Sequence, residues 1–148
     1  MRVVIGSDHA GFAMKQPLIA HPRQNGHEVE AAGCHDPAPV DFPDIARALT
    51  GRILSGDAER GIMVSGTGVG ASIAANKIRG IRAAVLHDRH CAHQAVEHDD
   101  VNVMCLGAQI VGTWLAKDLI DAYLAASFSD DPDFRRRVAK LHAMETPS

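Results

Sequence analysis

Short apolar or alternating runs recur five times along this chain, with segments of helical spacing between them, and that alternation most constrains its fold. The runs are Arg2 to Gly6 (RVVIG), His27 to Ala31 (HEVEA), Gly61 to Ser65 (GIMVS), Ile81 to Leu86 (IRAAVL) and Val101 to Leu106 (VNVMCL). Helical segments are expected over Phe12 to Gln24, Ile45 to Leu54, a short stretch ending near Lys77, His90 to His98, Thr113 to Ala126 and Phe134 to Ala143. In the first of these, Pro17 and Pro22 are expected near the first turn and the end. Strands alternating with helices imply a parallel sheet covered on both faces. The expectation is therefore an α/β chain with one doubly wound, five-stranded parallel sheet, Rossmann-like or flavodoxin-like. The terminal helix is expected to pack on a partner subunit. A length of 148 residues suits a single domain over 1–148.

Ligands of such sheets bind beyond the carboxyl ends of the strands. Four loops become candidates: Ser7 to Gly11, Gly66 to Gly70, His87 to Asp88, and Gly107 onward. A net charge of -3 gives no basic footprint, which argues against nucleic acid or an anionic membrane as partner. No run of eighteen apolar residues exists, and the opening MRVVIGSDHAG has too short an apolar stretch for a signal peptide. Cys34, Cys91 and Cys105 lack CxxC spacing and read as reduced thiols of a cytoplasmic protein.

The segment MVSGTGVGAS (Met63 to Ser72) is the most pointed signal. A glycine loop between strand and helix presents backbone N–H groups and the positive end of a helix dipole to an anion or a developing oxyanion. A turn that merely needs positive φ is the bland reading, which three alternating glycines disfavour. Gly66, Gly68 and Ala71 also match the dinucleotide spacing, with Asp88 about twenty residues on. That helix is short, however, and the unit begins at the third strand. A Walker motif is excluded because no GK[ST] follows. Asp8 and His9 close the first strand and should face the same edge, where an acid beside an imidazole can move protons; the plainer alternative is a helix cap and an exposed histidine.

GSDHAGF (Gly6 to Phe12), SGTGVGASIAANK (Ser65 to Lys77), GIRAAVLHD (Gly80 to Asp88) and EHDDVNVMCLGAQIVG (Glu97 to Gly112) resemble the ribose-5-phosphate isomerase B family, which includes the galactose-6-phosphate isomerase subunits. The resemblance runs nearly end to end. It implies an aldose–ketose isomerase of carbohydrate metabolism, cytoplasmic, without metal or nucleotide cofactor, working through an enediolate on a small sugar or sugar phosphate. It also implies a homodimer or tetramer with active sites between subunits. By position, His98 matches the family's ring-opening histidine, and Asp8 and His9 the pair that contacts sugar and phosphate. Gly66, Thr67, Gly68 and Gly70 match the oxyanion loop, and Arg137 a phosphate-binding arginine.

Several positions depart from the family pattern. Ser65 stands where many members have a cysteine base, and Ala71 where another branch has a glutamate. A serine hydroxyl is a far weaker acid than a thiol. Asp99 replaces an asparagine, Phe42 a tyrosine and Gln109 an arginine of the phosphate pocket; Asp133 falls where a second helix arginine is expected. Arg135 or Arg136 is a candidate to compensate. These changes point to a substrate other than ribose 5-phosphate, shorter or unphosphorylated, and to Asp99 or Asp8 as a carboxylate base. Asp8, His9, Ser65, Thr67, His98, Asp99 and Arg137 are expected around one pocket. The rival from another class is a non-catalytic sugar-binding homologue or partner subunit that has lost its base. His90, His93 and Glu97 could hold zinc from one helix face, but a polar helix surface is the simpler reading.

Overall fold

The computed structural model describes residues 1–145. Five strands, β1 (Arg2–Ser7), β2 (Glu28–Gly33), β3 (Arg60–Ser65), β4 (Ala83–Val85) and β5 (Val103–Gly107), alternate with α1 (Phe12–Gln24), α2 (Phe42–Leu54), α3 (Val69–Asn76), α4 (Arg89–Asp99) and α5 (Thr113–Ala125). A last helix, α6 (Pro132–Ala143), follows. All strand pairs are parallel and the order is β2-β1-β3-β5-β4. The flavodoxin-type order 2-1-3-4-5 is kept for the first three strands, and the last two change places.

Period-two alternation divides the core into two layers. Val3, Ile5, Ile62, Val64, Met104 and Leu106 pack with residues of α1, α4 and α5. Their alternates Val4, Met63, Val103 and Cys105 pack with α2 and α3. The second layer includes the alanines Ala46, Ala71 and Ala75 on its two helices. A Cβ at Gly61 would come within 2.7 Å of the Leu49 Cδ2, so glycine in β3 lets α2 settle directly onto the strand.

Three sequence expectations need correction. Pro17 lies inside α1, not in its first turn. It is tolerated because Ala13, whose carbonyl it leaves unbonded, is exposed and can be hydrated. The fourth strand is only Ala83–Val85, because the Arg82 N–H donates to the Asn102 Oδ1 (2.8 Å) in place of a strand partner. Asn76 then pairs with both backbone groups of Ala83, each at 2.8 Å, blunting the outer edge of β4. The third correction is to the second helix, which begins at Phe42 with Pro43 in its first turn, three residues before the apolar spacing becomes evident.

At the amino edge, Arg60 closes the sheet against α5: its guanidinium donates to the carbonyls of Tyr123 (2.6 Å) and Ala126 (2.7 Å), satisfying the open end of that helix. The buried Tyr123 hydroxyl donates to the Gly61 carbonyl. α6 lies along the same edge. Phe134 stacks on His98, and the Glu145 carboxylate accepts from the Gly80 N–H. Among the described residues, no helix is long and apolar enough to cross a membrane.

Candidate active site

The strand order changes direction between β1 and β3, and the candidate site opens at the carboxyl ends of these two strands. Asp8 follows β1, is 6% exposed, and donates its N–H to the Val64 carbonyl at 3.2 Å. Its Oδ1 accepts from the Gly11 N–H at 3.1 Å, so the carboxylate shapes the turn into α1. A Cβ at Gly11 would lie 2.3 Å from the Val64 carbonyl oxygen, which makes glycine obligatory there. The exposed His9 accepts from the Val40 N–H through Nδ1, leaving Nε2 to carry the proton of the neutral ring. The buried Lys15 donates to the Cys34 carbonyl at 2.7 Å and ties down the loop after β2; burial lowers the proton affinity of its amine.

The glycine loop follows β3. Gly68 has φ 81°, the left-handed conformation that favours glycine, and donates to the Ser65 Oγ at 3.0 Å. The loop after β5 clasps it from the side: Ala108 N–H donates to the Ser65 carbonyl (2.8 Å) and Gln109 N–H to the Gly66 carbonyl (3.0 Å). These bonds leave the N–H groups of Gly66, Thr67, Gly70 and Ala71 without partners among the described residues. Open N–H groups at a helix start suit an oxyanion. The Phe42 ring lies over Gly70, where a Cβ would meet its Cζ at 2.7 Å, and the Gln109 amide lies over Gly66. Asp8, Phe42, Ser65, Thr67 and Gly70 line the resulting cleft of about 260 Å³.

Asp8 is the one carboxylate among the residues lining this cleft. None of the thiols lines it either. Cys105 is buried in the core with its pKa pushed up to about 12, and burial together with the Asp8 charge raises that of Cys34. Cys91 is held in the thiol form chiefly by its hydrogen bond to Asp88.

The expectation of one pocket fails within a single chain. α4 runs back from the carboxyl edge, so His98 and Asp99 at its end lie at the amino edge, beyond a strand length of about 16 Å. There His98 stacks face to face on Phe134, with ring centroids 3.9 Å apart, and Asp99 borders the groove between α6 and β4. The Arg137 guanidinium stands 5.8 Å from the Phe134 ring centroid. Of the two arginines that could compensate, Arg135 bonds Asp130 and the Ser129 carbonyl, and Arg136 bonds Asp133. That last pair holds the Asp133 carboxyl below its ordinary pKa. On α4, His93 bonds Glu97, and no three metal-ligating side chains converge among the described residues.

Two further polar side chains bear on this site. Lys15 had no motif to mark it. His87 did fall in a candidate loop: the structure turns its Nε2 to accept the Gly107 N–H at 2.9 Å, beside the glycine loop.

The sequence matches the family described as Ribose/Galactose Isomerase over residues 3–141. Ribose-5-phosphate isomerase B of Escherichia coli (strain K12) is 37% identical, covering 97% of this chain and 96% of its own. D-erythrulose-4-phosphate isomerase 2 of Mycolicibacterium smegmatis is 33% identical, covering 98% and 97%. The solved structure of Clostridium thermocellum ribose-5-phosphate isomerase B superposes with a TM-score of 0.94 at 40% identity, covering 98% and 97%.

Proposed function

The chain belongs to the ribose/galactose isomerase family, and from that membership we propose that its cleft interconverts the aldose and ketose forms of a small sugar phosphate through an enediolate. The observation that carries this reading is the set of open N–H groups on the glycine loop, facing the same cleft as the buried Asp8 carboxylate. Asp8 takes the proton from one of the two carbons, C1 or C2, and returns it to the other. The negative charge that develops on oxygen falls to the N–H groups of Gly66, Thr67 and Gly70, with Gly68 shaping the loop. Ser65 orients the loop by accepting from Gly68, and its own hydroxyl proton can bond the substrate.

His98 acts in ring opening and Arg137 on the phosphate, both from a second copy of the chain. Their place at the amino edge supports this, because one chain cannot bring them to its own cleft. In a twofold dimer, each carboxyl edge meets the partner's amino edge and two equivalent sites result. His9, exposed in the turn after β1, serves as a substrate contact. The whole chain, 1–148, serves as one isomerase domain. The three free thiols suit the reducing cytoplasm.

The substrate is inferred to be a four-carbon sugar phosphate in preference to ribose 5-phosphate. Gln109 offers a neutral amide over Gly66 where the family carries a guanidinium, and Phe42 supplies a ring without a hydroxyl. The Escherichia coli and Mycolicibacterium relatives are named for substrates one carbon apart, ribose 5-phosphate and D-erythrulose 4-phosphate.

Proton NMR in D2O, with a panel of free and phosphorylated four- to six-carbon aldoses and ketoses, tests each part. Exchange at C1 or C2 is expected, fastest with a four-carbon phosphate. Asp8→Asn should lose it by about 100-fold or more, whereas Ser65→Ala retains much of it. Loss in Asp99→Asn but not in Asp8→Asn moves the base to the partner's α4. No exchange with any sugar rejects the isomerase reading for this chain.

A further inference from the structure

We propose that His87 is a positioning residue whose neutral imidazole holds the glycine loop in its reactive shape, making the isomerase sensitive to acid at a group outside the cleft. This rests on the isomerase reading. The geometry is a three-part relay. His87 Nε2 accepts the Gly107 N–H at 2.9 Å. Gly107 in turn lies against the loop backbone, where a Cβ would sit 2.7 Å from both the Cα and the carbonyl carbon of Thr67. The next two residues, Ala108 and Gln109, make the two hydrogen bonds that clasp Ser65 and Gly66.

The chemistry of the acceptor gives the device its direction. A ring nitrogen that accepts from an amide has no proton of its own, so neutral His87 carries its proton on Nδ1. Protonation places N–H against N–H, and the bond is lost. Gly107 must then move or turn, and the contact with Thr67 leaves it no slack on that side.

The charges around His87 do not keep it protonated. Asp88 beside it is turned to the Cys91 N–H, and Arg89 and His90 are exposed at the start of α4. Residues 65–71 and 106–113 carry no charged side chain, the Cys105 thiol is neutral, and Lys117 of α5 lies over Trp114. Burial is the cause that disfavours the imidazolium.

Two variants separate the acceptor from the titration. In His87→Gln the amide oxygen occupies the place of Nε2 and accepts from Gly107 without titrating; His87→Leu removes the acceptor. Amide spectra of the full chain between pH 8 and pH 5 should show Gly107 and Thr67 titrating together in the natural protein and remaining still in His87→Gln. For C1/C2 exchange, His87→Leu should lower kcat about tenfold or more with little change in KM, since the loop's donors act on the developing oxyanion. His87→Gln should recover most of that rate at pH 8 and flatten the acid limb of the kcat profile. The inference is overturned if Gly107 and Thr67 do not titrate in the natural protein. It is also overturned if the acid limb persists unchanged in His87→Gln. A chain that exchanges no sugar fails as an isomerase, yet its amide titration still reports whether His87 governs the loop.

Discussion

The two edges of the sheet present their functional side chains in different ways. At the carboxyl edge, Asp8 and Ser65 are almost wholly buried and each accepts a backbone N–H from its own turn. At the amino edge, His98 and Arg137 sit on the surfaces of α4 and α6, grouped around one phenylalanine ring. The first arrangement is fixed when the chain folds, because backbone hydrogen bonds and glycine contacts determine it. The second is set by side chains on helix surfaces, and on the reading proposed above it acts only on a partner's cleft. On that reading, one edge is a pocket that the other edge of a second copy completes.

The largest effect expected breaks this division by mixing defects. Asp8→Asn and His98→Ala should each lose isomerase activity by about 100-fold or more. Dissociated and reassociated together, they should recover roughly a quarter of the natural activity, since half of the dimers are mixed and each mixed dimer has one intact site. If the mixture recovers nothing, the edges do not meet in a shared site.

Gly107→Ala comes next. Its Cβ would press on Thr67 from behind, and a misplaced oxyanion loop should lower kcat by about 10- to 100-fold. Overpacking of this kind should also cost about 1–3 kcal/mol of stability, readable by urea unfolding. Arg60→Met tests the amino edge alone. Losing its guanidinium from the carbonyls at the end of α5 should cost about 2 kcal/mol, while kcat per folded chain stays the same. A fall in kcat there would mean that the edges are coupled through the strands.

Two smaller effects sharpen the picture. Phe42→Tyr should alter KM for sugar phosphates by only a few-fold, because it adds one hydroxyl at the wall of the cleft. His87 should also leave a trace in stability. With its folded pKa below the ordinary histidine value, the unfolded chain binds that proton first. Stability contributed by neutral His87 is therefore present above the ordinary pKa and lost as pH falls through the lowered one. His87→Gln should lose less stability over that window in calorimetry than the natural protein does.

Much of the carboxyl edge could be read in advance because its chemistry is local. The glycine run needs its φ values and its helix start, and both follow from neighbouring residues. The separation of His98 from Ser65 was also implicit in the pattern. A helix that returns between two parallel strands ends where the next strand begins, and His98 is at such an end. Within one chain, that direction keeps His98 away from the cleft. The exchange of β4 and β5 could not be read, since either order buries the same apolar runs. The extent of β4 was obscured for a different reason: Ile81 is buried like a strand residue, yet the Asn102 side chain takes the backbone pairing of Arg82. Gln109 was visible as a departure, but its position over Gly66 depends on a loop five strands into the chain.

The strand order also bears on the way the chain emerges during synthesis. β4 pairs only with β5, which fills the place between it and β3. When β4 leaves the ribosome, the sheet has no neighbour for it, and α3 has crossed a gap that is still open. About twenty residues must follow, roughly one to four seconds of translation, before β5 can enter that gap. During this interval the growing chain exposes the apolar flank of β3 that β5 will cover. A pause just after β4 should thus be the moment at which a nascent chain most needs a chaperone.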